Sequence, residues 1–207
     1  MKKILLICLL FITANNFGQS AYEKGMGKAF ELWQTQKTTE AAQLFERIAT
    51  AEKDNWLPPY YAATILIIEG FSIKDETLLT AKLTKAQEFL DAATMISENN
   101  PELLITQAML NTAYIAFDGQ KYGMTLSGEN AQLYARALSI APNNPRVVLA
   151  KAEWDMGAAQ FFGQSLEPYC KDVKRAVELF KKEKPAGKFH PQGGIERALE
   201  VLKQCGE

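Results

Sequence analysis

Histidine is almost absent from this sequence. The 207-residue chain has one, His190, and three cysteines, of which Cys8 lies near the start. A metal centre needs several His, Cys, Asp or Glu side chains at ligand spacing, and these residues form no such group. An excess of one charge is also missing: 23 Lys and Arg face 24 Asp and Glu, a formal net charge of −1. That balance creates no long-range field towards nucleic acid or an anionic membrane, so no nucleic-acid partner is expected. No apolar run approaches the ~20 residues needed to cross a bilayer. The greasiest later stretch, residues 62–68, is too short. Glycine-rich phosphate loops, nucleophile elbows and helical His pairs are missing. So are runs of Val, Ile and Thr alternating with polar residues, which a half-buried strand would need.

What is present begins with MKKILLICLLFITANNFGQS. Two lysines precede an apolar run from Ile4 to Ile12, and small and polar residues follow. This is the pattern of a secretory signal, with cleavage expected between Gly18 and Ala21. Cys8 sits inside the apolar run after Ile7, not after a small residue, so lipid attachment is not expected. Removal of residues 1–20 leaves one domain, residues 21–207, with 21 basic and 24 acidic side chains and two cysteines, Cys170 and Cys205. The expected location is periplasmic or extracellular. In an oxidising compartment such a pair is expected to be bridged.

The remaining chain alternates periodic segments with short breakers. Apolar residues spaced three and four apart, as in TTEAAQLFERIATAEK and LTKAQEFLDAATMIS, predict helices. PPYYAATILIIEG opens with prolines suited to a first helical turn and closes at Gly70. The reading is all-α, about nine helices in antiparallel pairs. One register also repeats. Residues 85–120 laid over 129–164 match Ala93 with Ala137, Ile96 with Ile140, and Asn99-Asn100-Pro101 with Asn143-Asn144-Pro145. The same offset matches Ala108 with Ala152, Phe117 with Phe161 and Gly119-Gln120 with Gly163-Gln164. A repeat with one fixed offset is the mark of a stacked helical array.

In this register the sequence resembles the tetratricopeptide repeat family. Its small residue in the first helix of each pair falls on Ala29, Ala63, Ala108, Ala152 and Ala198. The second small position falls on Ala41, Ala86, Asn130 and Ala176, with Phe45, Leu90, Tyr134 and Phe180 four residues later. Asn130 departs from the pattern. At a third small site Ala93 and Ala137 fit while Ile48 and Glu183 do not, and the terminal proline is clear only at Pro142. Extra residues fall between the two helices of the later pairs, around FDGQKYG and FFGQSLEPY. These either project from one edge of the array as a binding edge or lengthen the helices.

The resemblance implies a helix-pair solenoid whose first helices line a concave groove. Its groove-facing side chains would be Met26, Phe30, Trp33, Leu57, Tyr60, Thr64, Ile67 and Ile68. Ile105, Met109, Thr112, Ala113, Leu149, Glu153, Met156 and Gly157 would continue the row. Some relatives grip a peptide carboxylate with a basic groove, but these positions are not basic. An apolar, methionine-bearing face suits a helix or extended apolar segment. Alternatively the same residues are core, with the C-terminal helix filling the groove. His190, in KFHPQGG, reads as a solvated or packed loop residue. Glu69 and Glu153 are candidate acids, but nothing pairs them in one cleft as carboxylate catalysis requires.

The leading expectation is an exported helical-repeat scaffold that binds a protein or peptide, without cofactor or catalysis. A self-associating structural subunit, a homo-oligomer, is the alternative, and an envelope hydrolase ranks third. The last two helices should run antiparallel about a turn centred near Lys188. Cys170 and Cys205 lie nearly equidistant from that centre, so equal helical rise would bring them side by side.

Overall fold

A computed structural model describes residues 21–206. The expected leader, residues 1–20, lies outside the described residues. Among the described residues there are nine α-helices and no strand. These are α1 (21–34), α2 (Thr38–Ala51), α3 (Leu57–Gly70), α4 (Glu76–Ile96) and α5 (Pro101–Phe117), followed by α6 (Gly119–Ile140), α7 (Pro145–Phe161), α8 (Glu167–Lys182) and α9 (Ile195–Lys203).

The repeated Asn-Asn-Pro has a mechanical role. Asn100 caps α5 by accepting from the Glu102 N–H at 3.0 Å, and Asn144 caps α7 by accepting from the Arg146 N–H at 2.9 Å. Pro101 and Pro145 follow at the first helical position, where a missing N–H costs nothing. Asp75 and Asp118 cap α4 and α6, accepting from Leu78 and Lys121 at 2.9 Å each.

Consecutive helices pair, and the pairs stack. The first helices touch one another, α3 on α5 and α5 on α7, forming an inner row. Each of α4 and α6 wedges between its own partner and the next inner helix. The nine small positions of the repeat register sit at these crossings, none more than 1% exposed. Asn130 occupies one of them because its Nδ2 donates to the Ala108 carbonyl and to Thr112 Oγ1, both at 3.1 Å. The extra residues of the later pairs are helical turns. α2 starts three residues before Ala41, whereas α4 starts ten before Ala86 and α6 eleven before Asn130.

The last two helices are stapled as the spacing predicts. Cys170 and Cys205 form a disulfide with Cα atoms 5.9 Å apart. The connector between α8 and α9 does more than turn. Residues 183–194 reach back to the first pair, where Phe189 meets Tyr22 and Phe30 of α1, and Tyr61 of α3 donates to its carbonyl at 2.7 Å. Lys188 pairs with Glu23 at 2.8 Å, and the His190 ring lies 6.0 Å from that of Trp56. The connector then needs glycine: Gly194 has φ of 111°, and a Cβ there would come within 3.0 Å of the Phe180 ring.

Candidate functional site

The expected concave face is largely interior. Met26, Leu57, Tyr60, Ile67, Leu149 and Met156 are at most 8% exposed and belong to the packed cores. Phe30 and Trp33 are half-buried in an aromatic cluster that Phe189 completes. Thr64, Ile105, Met109 and Thr112 are half-buried, and Ala113 is buried. Ile68, 49% exposed, and Gly157 stay open to solvent. The connector, not the C-terminal helix, covers the α1–α3 end of this face.

Beside it lies an ion cluster. The Arg146 Nε donates to Glu102 Oε1 at 2.9 Å, and Nη1 meets Glu183 at the end of α8 at 2.6 Å. Asn144 donates to the same Glu102 oxygen at 2.7 Å. Burial works against the guanidinium charge, but the two carboxylates more than offset it and raise the Arg146 pKa. Burial, and then the Glu102 charge, push the Tyr60 phenol far above its ordinary value. The cluster therefore locks α5, α7 and the start of the connector together.

The two candidate acids do not meet. Glu69 accepts from Thr38 and Lys82 on one side of α3. Glu153 accepts from Arg197 of α9 at 2.7 Å. Among the described residues no group of three or more His, Cys, Asp or Glu side chains is arranged to hold a metal ion. No helix among them is long and apolar enough to cross a membrane.

Exposed apolar side chains lie elsewhere, along α6 and at the end of α7. The two helices stay in contact near their joint, with Tyr134 and Trp154 rings 5.9 Å apart. Towards the start of α6 no residue of 119–129 is buried, and Gly157, Ala158 and Phe161 of α7 are exposed. A Cβ added at Gly128 or Gly157 meets nothing within 4 Å. Met124 (94% exposed), Phe161 (83%) and Phe162 (70%) stand at this end of the array.

One repeat unit earlier, a hollow between α4 and α5 is lined in part by Thr84, Gln87, Glu88 and Tyr114. The same 44-residue offset carries these to Gly128, Ala131, Gln132 and Ala158. Three larger side chains have become glycine and alanine, while Leu83 gives way to Ser127 and Leu110 to Trp154. The side chains there suit contact and ring stacking: Gly128, Gly157 and Ala158 are small and exposed, and Phe161 and Phe162 are exposed at the end of α7. His190 packs elsewhere, its ring 6.0 Å from that of Trp56 just before α3. Sequence reasoning picked out the FFGQSLEPY edge but missed Met124, Gly128, Ala131 and Trp154. The signal was available in the repeat, as side-chain loss at matched positions.

No family model matches the chain, and no curated protein matches its sequence. Among solved structures it is similar to the HusA haemophore from Porphyromonas gingivalis, with a TM-score of 0.78 and 22% sequence identity. The match covers 89% of this chain and 92% of that one. At this identity the likeness establishes a shared fold along nearly the whole of both chains.

Proposed function

We propose that this protein is an exported carrier of a flat, apolar ligand of the haem class, taken up in the crevice between α6 and α7. The observation that carries the reading is the exposure of Met124, Phe161 and Phe162 alongside positions reduced to glycine and alanine. A porphyrin face is large, planar and apolar, and aromatic rings stack on it with about 0.5–1.5 kcal/mol each. Glycine and alanine let such a face approach the helix backbone. The Met124 thioether is a soft donor of the kind haem iron accepts. The likeness in fold to a haemophore supports the ligand class, and the disulfide and the leader-like residues 1–20 support export.

Haem titration followed by tryptophan emission tests this. Trp154, where the two helices stay in contact, should be quenched, and Trp154→Phe should remove most of the signal. Phe161→Ser with Phe162→Ser should weaken binding about tenfold or more, the equivalent of two lost stacking contacts. Unchanged affinity in that double variant would retire the site.

The exposed phenylalanine pair also favours a second reading. Helical-repeat scaffolds of the tetratricopeptide kind bind proteins or peptides, and Phe161 and Phe162 would anchor such a partner in a pocket of its own. A second copy of this chain is one such partner. Concentration-dependent sizing of wild type and the double serine variant separates self-association from carriage of a small ligand.

A further inference from the structure

We infer that the hollow between α4 and α5 is a second binding site, for an organic cation with an apolar body. It is a solvent-open hollow of about 310 Å³. Its floor is Leu83 and Leu110, both nearly inaccessible, and its wall is the half-buried Tyr114 ring. Glu88 and Asp91 stand at the rim, and no lysine or arginine lines it.

The rim keeps its negative charge because the bases of α4 are engaged elsewhere. Lys82 pairs with Glu69 of α3, and Lys85 pairs with Glu46 of α2 at 2.9 Å. Among the described residues neither Glu88 nor Asp91 has an ion-pair partner. Gln87 fixes the geometry: its Nε2 donates to Asp91 Oδ1 and to Gln107 Oε1, both at 2.8 Å. A cavity with an apolar floor, an aromatic wall and two uncompensated carboxylates matches one ligand chemistry. The body of the ligand sits on the leucines and its ammonium reaches the carboxylates, with the Tyr114 ring adding a cation–π contact. The proposed crevice one repeat later has no carboxylate at the matched positions, so the two sites would take different ligands.

The probe is 2-phenylethylamine, protonated at neutral pH, against its uncharged analogue 2-phenylethanol. Both are titrated calorimetrically into the oxidised protein at low salt. The amine should bind saturably, one per chain, and the alcohol at least tenfold more weakly. Glu88→Gln with Asp91→Asn should weaken amine binding about fivefold or more, since each exposed pairing contributes up to about a fivefold factor. Thr84→Trp, which fills the hollow from an exposed position, should abolish it. Thermal melts of these variants should match wild type. Equal binding of amine and alcohol, no saturable amine binding, or unchanged affinity in the carboxamide variant would overturn the inference. Haem affinity should be the same in Glu88→Gln/Asp91→Asn as in wild type, so failure here is separable from failure of the carrier reading.

Discussion

Phe189, in the connector before the last helix, lies nearly parallel to Phe30 of the first helix, with ring centroids 5.9 Å apart and planes 10° from coplanar. The connector before the last helix is thereby fastened to the first helix. In an open solenoid each pair touches only its neighbours. Here the last connector also contributes to the core of the first pair.

The fastening should depend on the ring and not on the neighbouring charge. Phe189→Ala should lower unfolding stability by about 2 kcal/mol, less than the full cost for a wholly buried phenylalanine because the site is half-buried. Lys188→Ala removes an exposed pair with Glu23 and should change stability by less than about 1 kcal/mol. Urea unfolding of both variants checks the contrast. A Phe189→Ala variant as stable as wild type would show that the contact is incidental.

The Cys170–Cys205 bridge closes the segment that carries this connector. In the chain-entropy model it should contribute roughly 3–4 kcal/mol. Unreduced, denatured protein should show no free thiol at these positions on labelling. After reduction, hydrogen exchange should accelerate first in α9, the terminal helix with a neighbour on one side only.

Arg146 should be the costliest charged side chain to remove. Arg146→Met leaves Glu102, whose side chain is 8% exposed, without its cation. Breaking a buried pair from one side costs about 3–5 kcal/mol. Replacing Glu102 as well, Arg146→Met with Glu102→Leu, should recover part of that loss, since Glu183 still lacks its cation. A double variant no more stable than the single would mean that packing, and not charge, governs the site.

The sequence made the all-helical class, the buried small residues and the disulfide legible, for one reason in each case. Asn100 and Asn144 cap helices by local hydrogen bonds, the register alanines mark close helix crossings, and Cys170 and Cys205 follow from equal helical rise. The facing of the inner helices was not legible. Residues 57–68 of α3 are apolar all round, so periodicity cannot distinguish Tyr60 in the core from Ile68 at the surface. The connector was hidden for the opposite reason. Phe189 is one aromatic in a polar segment, and its partners Tyr22, Phe30 and Tyr61 are distant in sequence. The residues of the proposed crevice stand out only by comparing repeats, since Gly128 and Ala131 mean little until set against Thr84 and Gln87.

Stability should fall with pH partly through Glu69. Burial alone would raise its pKa, but hydrogen bonds from Lys82 and Thr38 overcome this and hold it below the ordinary 4.5. The folded state therefore binds the proton less readily than the unfolded chain. Its contribution is complete above the unfolded pKa and is lost as pH falls through the lower folded value. Glu69→Gln should cost about 1 kcal/mol at pH 7, as a partly buried ion pair does. The gap from wild type should narrow as pH falls below the unfolded pKa and close once it has passed the lower folded value. A gap independent of pH would mean that lost packing, not lost charge, destabilises the variant.

The crevice makes the sharpest demand, because one substitution should move stability and binding in opposite directions. Gly128 lies inside α6, where glycine costs about 1 kcal/mol relative to a good helix former. A Cβ added there meets nothing within 4 Å, so a larger side chain enters open space without displacing a neighbour. Gly128→Leu should therefore fold normally and melt at the same or a higher temperature. If the floor between α6 and α7 receives a planar ligand, the new isobutyl group occupies the space that the ligand's face needs, and haem affinity should drop at least tenfold. Gly27→Leu is the control: a Cβ there is equally unobstructed, on α1 in another part of the array, so it should leave affinity unchanged. Calorimetric melts with parallel haem titrations decide the matter. A Gly128→Leu protein that is stable and still binds haem like wild type would place the ligand elsewhere on the array.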